Sequence, residues 1–135
     1  HGEYRRQRQM CIRDRVATMK VNEHDKIMSI TSHLPHLIAF TIVGTAFNLN
    51  IKKKNELINF AAGGFKDFTR IGSSDPKMWT DIFLKNKEFL KDTLSLFLKD
   101  IEKIKKLIED EKYSKIFRLL KRTKEIRNSI IKKRI

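Results

Sequence analysis

Apolar residues recur at helical rather than strand spacing along most of the chain. Between residues 22 and about 48, Ile27, Ile30, Leu34, Leu37, Ile38 and Val43 return at helical steps; Asn22 can cap this helix, and Glu23 and Asp25 suit its positive end. Pro35 falls inside this pattern. It removes a backbone donor and crowds the carbonyl four residues earlier, which predicts a kink or a new helix starting near Ser32 to Pro35. Residues 48–55 are polar and read as a connection, and residues 56–62 as a short helix. Gly63-Gly64 reads as a stop that permits positive φ or close backbone approach. Ser74-Asp75-Pro76 is a helix start, with a side-chain cap and a proline in the first turn, and that helix should run through Trp79 and Phe83. The clearest periodicity is Leu90, Leu94, Phe97, Ile101, Ile104 and Ile108, a heptad seam that demands a partner helix. A last helix, about residues 112–131, aligns Ile116, Leu119, Leu120, Thr123, Ile126 and Ile130 with bases opposite. No useful stretch alternates with period two, so the predicted class is all-α.

Composition narrows the picture. The 135 residues amount to one domain, and 40% hydrophobic with 34% charged residues suits a folded soluble protein. The longest apolar run, residues 37–44, is far shorter than the roughly 18–20 residues that span a bilayer, which argues against a membrane protein. The single cysteine, Cys11, precludes an internal disulfide, and no apolar signal segment precedes it; a reducing cytoplasm fits. Residues 1–15 show no hydrophobic period, cap or turn chemistry and read as a non-native or disordered leader, leaving residues 16–135 as the domain. The net charge of +14 is unevenly placed: +3 in residues 1–15 and +9 in residues 112–135, which leaves +2 for the body. Aromatic residues in the basic C-terminal stretch are limited to Tyr113 and Phe117, a poor platform for stacked bases. Nucleic acid is therefore disfavoured as a partner. A small basic helical protein that binds RNA or a membrane surface remains the alternative reading, and the role of the basic C-terminal helix stays open.

Three groups carry candidate chemistry. Glu23-His24-Asp25 is either a charged first helical turn or part of a metal phosphohydrolase site, but no further ligands complete a coordination shell, so no metal is assigned. Ser32-His33-Leu34-Pro35-His36 sets two imidazoles three residues apart, a spacing open to a metal, a structural polar turn, or anion and substrate recognition, with the last favoured. Gly63-Gly64-Phe65-Lys66-Asp67-Phe68-Thr69-Arg70 resembles half of a carboxylate pocket, because a guanidinium grips a carboxylate through two parallel N–H bonds. It lacks the spacing of either glycine-rich phosphate motif.

Taken together, HDKIMSITSHLPHLIAF (24–40) and AAGGFKDFTRIGSSDPKMWTDIFLKNKEFL (61–90) resemble the C-terminal domain of the prephenate/arogenate dehydrogenase family. The similarity runs from about Val16 to Glu111. The resemblance implies an all-helical dimerisation domain that closes the substrate cleft of a dehydrogenase in tyrosine biosynthesis. Its reaction is the oxidative decarboxylation of prephenate or arogenate with NAD or NADP. The dinucleotide and the histidine that polarises the ring hydroxyl belong to an N-terminal Rossmann domain that this chain lacks, so no catalytic residue is expected here and the isolated chain should be inactive. Carried over by motif, His36 and Arg70 recognise substrate, Lys66 and Asp67 line or brace the pocket, and Gly63 leaves room for the ligand; Ser32 and His33 stand behind them. The seam from Leu90 to Ile108 packs the helical core and a homodimer. Prephenate versus arogenate, NAD versus NADP, and feedback inhibition by tyrosine are not decided by these residues.

Overall fold

The computed structural model describes residues 7–12, 15–48 and 63–133. Two strands, β1 (Gln7–Ile12) and β2 (Arg15–Lys20), pair antiparallel from Gln7 opposite Lys20 to Ile12 opposite Arg15. A hairpin thus stands where no element was expected. The other elements among the described residues are helical: α1 (Val21–Met28), a π turn (Ser29–His33), α2 (Leu34–Asn48), α3 (Gly63–Thr69), a 3-10 turn (Arg70–Ser73), α4 (Pro76–Lys85), α5 (Lys87–Glu109) and α6 (Tyr113–Lys133). The expected connection at 49–55 and short helix at 56–62 lie outside the described residues. By contacts the chain divides into two units, His1–Leu94 and Ser95–Ile135.

The predicted break at Pro35 takes the form of the π turn. A proline at this position cannot donate to the carbonyl of residue 31 and its ring presses on that carbonyl; the wider turn just before it relieves the clash without ending the helix. The helical stretch therefore runs from Val21 to Asn48, long and apolar enough by length and composition to cross a membrane, which the length of the apolar run alone did not indicate. Several of its polar groups are held by the rest of the first unit. Ser29 is fully buried and donates to the Lys26 carbonyl at 2.6 Å, so its one proton is committed. The Thr93 hydroxyl on α5, 2.8 Å away, must then donate to Ser29 Oγ.

Around this pair the core is formed by Leu34, Ala39, Trp79 and Leu90. Helix α4 starts as predicted: the Asp75 carboxylate accepts from the Lys77 backbone N–H at 3.0 Å, with Pro76 at the first helical position. Its inner face carries Trp79 and Phe83, with ring centroids 5.7 Å apart, and Phe83 meets Phe40 of α2 edge to face.

Gly63 and Gly64 differ from expectation. Both are helical residues of α3, and no glycine among the described residues has positive φ. The close backbone approach occurs at Gly72 instead, where a Cβ would lie 3.1 Å from the Ala39 carbonyl oxygen of α2. Replacing Gly72 by Val should therefore lower stability by about 1–3 kcal/mol, since the overpacked contact is backbone. Gly63→Ala, where a Cβ meets nothing within 4 Å, should stay within about 1 kcal/mol of the parent, on the stable side. Thermal melts of the two variants decide this, and the reverse order would contradict the packing.

In the second unit, α5 ends without a glycine. Lys112 donates to the Leu107 carbonyl and Glu111 to that of Ile108, a Schellman ending in which Glu111 takes the left-handed position at φ 50°. The seam is buried at Leu90 but exposed at Ile101 and Ile108, and the apolar stripe of α6 is exposed at Leu120, Ile126 and Ile130.

Candidate functional site

Two histidines, a tryptophan and an asparagine meet where the π turn faces α4 and the start of α5. His36, in the first turn of α2, donates from Nδ1 to the Ser32 carbonyl at 2.8 Å, so its neutral ring keeps a lone pair on Nε2. Its face lies on the indole of Trp79, with centroids 3.5 Å apart and planes 16° from parallel. His33 meets the same indole edge-on at 6.4 Å. Asn86, in the link between α4 and α5, has its amide nitrogen 2.7 Å from the Asp25 carbonyl and 3.1 Å from His33 Nδ1. Trp79 and Asn86 are buried, so the cluster has a rigid floor.

Burial pushes the His33 imidazolium below its ordinary value; the charge of Asp25 opposes this, while His36 and His24 add to it. Because an unfolded His33 takes up a proton near pH 6.5 and the folded one only below that, the unfolded state binds more protons in this window. The contribution of His33 to stability should thus be intact above pH 6.5 and decline as pH falls toward the lower folded value. The melting temperature of His33→Gln should fall less than that of the parent on going from pH 7.5 to 5.5; parallel falls would contradict this assignment.

The residues expected to grip a carboxylate stand on neighbouring elements. Gly63, Lys66 and Asp67 are exposed on α3, and Arg70 is exposed at the start of the 3-10 turn. Both elements pack on α2, the helix that carries His36. The Gly72 contact with Ala39 sets this docking: Arg70 is two residues before Gly72, and His36 three before Ala39. The structure therefore places the segment that follows Arg70 against the helix that carries His36, at a close backbone approach where glycine leaves room. Ser32 and His33 lie in the π turn, Ser32 supplying its carbonyl to His36. His24 Nδ1 and the Asp25 carboxylate bond each other at 3.1 Å. Among the described residues no group of three or more His, Cys, Asp or Glu is placed to hold a metal.

An imidazole stacked on an indole, on a helix against which the segment of Arg70 packs, is a surface suited to a planar, carboxylate-bearing molecule. The family model for the dimerization domain of prephenate dehydrogenase matches residues 20–122. The chain belongs to this family. It is 39% identical over 113 residues to the prephenate dehydrogenase of Bacillus subtilis (strain 168), covering 83% of this chain and 30% of that protein. The cyclohexadienyl dehydrogenase of Zymomonas mobilis is 34% identical over 97 residues, covering 72% of this chain and 33% of the relative. Among solved structures, prephenate dehydrogenase from A. aeolicus in complex with hydroxyphenyl propionate and NAD+ superposes with a TM-score of 0.76 at 40% identity, covering 83% of this chain and 39% of that one. Synechocystis arogenate dehydrogenase, at 23% identity and a TM-score of 0.77 over 82% of this chain and 40% of its own, shares the fold. The chain thus spans about a third of the length of the curated relatives it matches. The match confirms the all-helical dimerization-domain class, and the hairpin β1–β2 stands almost wholly before the matched residues.

Sequence reasoning did not single out three residues of this surface. Trp79 and Asn86 lie within the stretch that carries the resemblance, yet Trp79 reads only as a residue of its helix and Asn86 has no reading of its own. Gly72 gave no signal, because the need for it arises from α2, more than thirty residues earlier.

Proposed function

We propose that this domain supplies the substrate-recognition and dimerisation half of an NAD-dependent prephenate dehydrogenase. In that reaction hydride leaves the ring carbinol of prephenate for the nicotinamide, the ring carboxylate departs as carbon dioxide, and the ring becomes a phenol. The observation that best supports this reading is the His36–Trp79 stack on a helix docked beside Arg70. Prephenate carries two carboxylates. Arg70 would hold one of them by parallel N–H bonds, with Lys66 adding charge and Asp67 bracing the cations. A carboxylate at His36 Nε2 requires the imidazolium, because Nδ1 is already committed as a donor to Ser32. Gly63, with open space around its α-carbon, would leave room for the ligand.

The residues of this chain do not fit a dinucleotide. The glycine pair at 63–64 lacks the G-x-G-x-x-G spacing. NAD, or NADP, would be held by the Rossmann part that this family joins to such a domain, and no catalytic residue is assigned here. The helical stretch from Val21 to Asn48 is read as a core helix of the domain and not as a membrane anchor, because Ser29, the Asp25 carbonyl and His33 are bonded by Thr93 of α5 and by Asn86. The exposed seam positions Ile101 and Ile108, continuing from Leu90, Leu94 and Phe97 through Ile104, would be covered in a homodimer. Action in the cytoplasm follows from the biosynthetic role. A polyanion-binding role driven by the C-terminal charges is disfavoured by a family match that covers 20–122.

The test is direct. The full-length protein should form NADH and carbon dioxide in equal amounts from prephenate and NAD+, while the 135-residue chain alone forms neither. Parallel assays with arogenate and NADP+ set the preference. No turnover of either cyclohexadienyl substrate by the full-length protein would overturn the proposal.

A further inference from the structure

We infer that Asn86 is a positioning residue: it donates one amide proton to the Asp25 carbonyl and the other to His33 Nδ1, which keeps the proton of the neutral His33 ring on Nε2 as a donor toward substrate.

The chemistry leaves little freedom. A backbone carbonyl only accepts, so the Asn86 atom 2.7 Å from the Asp25 oxygen must be the amide nitrogen. The same nitrogen lies 3.1 Å from His33 Nδ1, and its second proton points to a ring nitrogen that must then be unprotonated. A neutral imidazole with a bare Nδ1 carries its proton on Nε2. His36 is set the other way, with its proton on Nδ1 against Ser32, so the neighbouring rings offer unlike atoms at Nε2: a donor on His33 and, when neutral, an acceptor on His36. Both rings contact Trp79, which ties their orientation to one buried side chain. Asn86 reaches back 61 residues to Asp25 and 53 to His33, and so locks the π turn to the end of α4. Burial disfavours a charged His33, and of the titratable groups that face it, Asp25 favours the charge while His36 and His24 oppose it.

The assignment of the proton stands on geometry alone; its use toward a substrate rests on the proposed dehydrogenase reading. Nitrogen and carbon NMR of the 135-residue chain labelled at histidine should show His33 as the Nε2–H tautomer, titrating below 6.5. Asn86→Asp, which accepts where asparagine donates, should move the proton to Nδ1 and raise the midpoint by about one pH unit or more. A parent His33 with its proton on Nδ1 would overturn the inference, and needs no variant to observe. Unchanged tautomer and midpoint in a folded Asn86→Asp would overturn it equally. In the full-length enzyme, Asn86→Asp should raise KM for prephenate several-fold and leave kcat nearly intact. An unchanged KM rejects the positioning role, whereas a parent enzyme inert toward prephenate rejects the reading beneath it.

Discussion

Replacing Trp79 by Ala should destabilise the folded chain by about 3–5 kcal/mol, the usual cost of emptying a buried aromatic site. Trp79 is 8% exposed and touches Phe83, His33 and His36, so its loss leaves a cavity under both histidines. Set against the 5–15 kcal/mol that hold a typical domain together, this is a large share. Trp79 is also the only tryptophan, so fluorescence cannot follow the variant and helical circular dichroism in urea must. Trp79→Phe keeps a ring against His36 and should lose markedly less. A loss below about 1 kcal/mol for Trp79→Ala would mean that the indole is not the floor of the cluster.

The second large effect concerns Arg70 and falls on function, not on stability. Arg70 is exposed and its removal should change stability by no more than about 0.5 kcal/mol. In the full-length enzyme, by contrast, losing the proposed guanidinium–carboxylate pair should cost about 2–4 kcal/mol, or roughly 30- to 900-fold in kcat/KM. Arg70→Lys retains the charge but not the planar fork, and should fall between parent and alanine. Steady-state kinetics with prephenate gives all three values. Equal kcat/KM for parent and Arg70→Ala would remove Arg70 from substrate recognition. The pattern expected here, normal melting with collapsed turnover, is the reverse of that for Gly72→Val, which acts on the docking that carries Arg70.

What could be read from the chain was local. Asp75 and Pro76 announce a helix start through cap chemistry confined to three residues, and α4 begins there. Pro35 announces an irregularity through its missing donor, and a π turn precedes it. The stripes of α5 and α6 follow from periodicity alone. What could not be read depends on partners distant in sequence. The glycine that meets close backbone is Gly72, because Ala39 approaches it, while the more conspicuous Gly63-Gly64 lies in a helix with open space around it. Asn86 carries no local signature of its contacts with Asp25 and His33. Glu111 adopts positive φ where a glycine would be expected, so the end of α5 had no composition signal. The hairpin pairs residues whose sequence does not alternate, which is why periodicity missed it. The family resemblance reached further than any of these rules because it joined His36, Arg70 and the Trp79 motif in one order.

The central claim is that the surface joining His36, Trp79 and Arg70 recognises a carboxylate-bearing ring. Titration of the isotopically labelled 135-residue chain with hydroxyphenyl propionate, followed by NMR, tests it most directly. The Trp79 indole, the His36 ring, the Arg70 guanidinium and the amides of residues 63–73 should shift together along a single binding curve. Shifts confined to the basic helix α6, or no shift at millimolar ligand, would contradict the account.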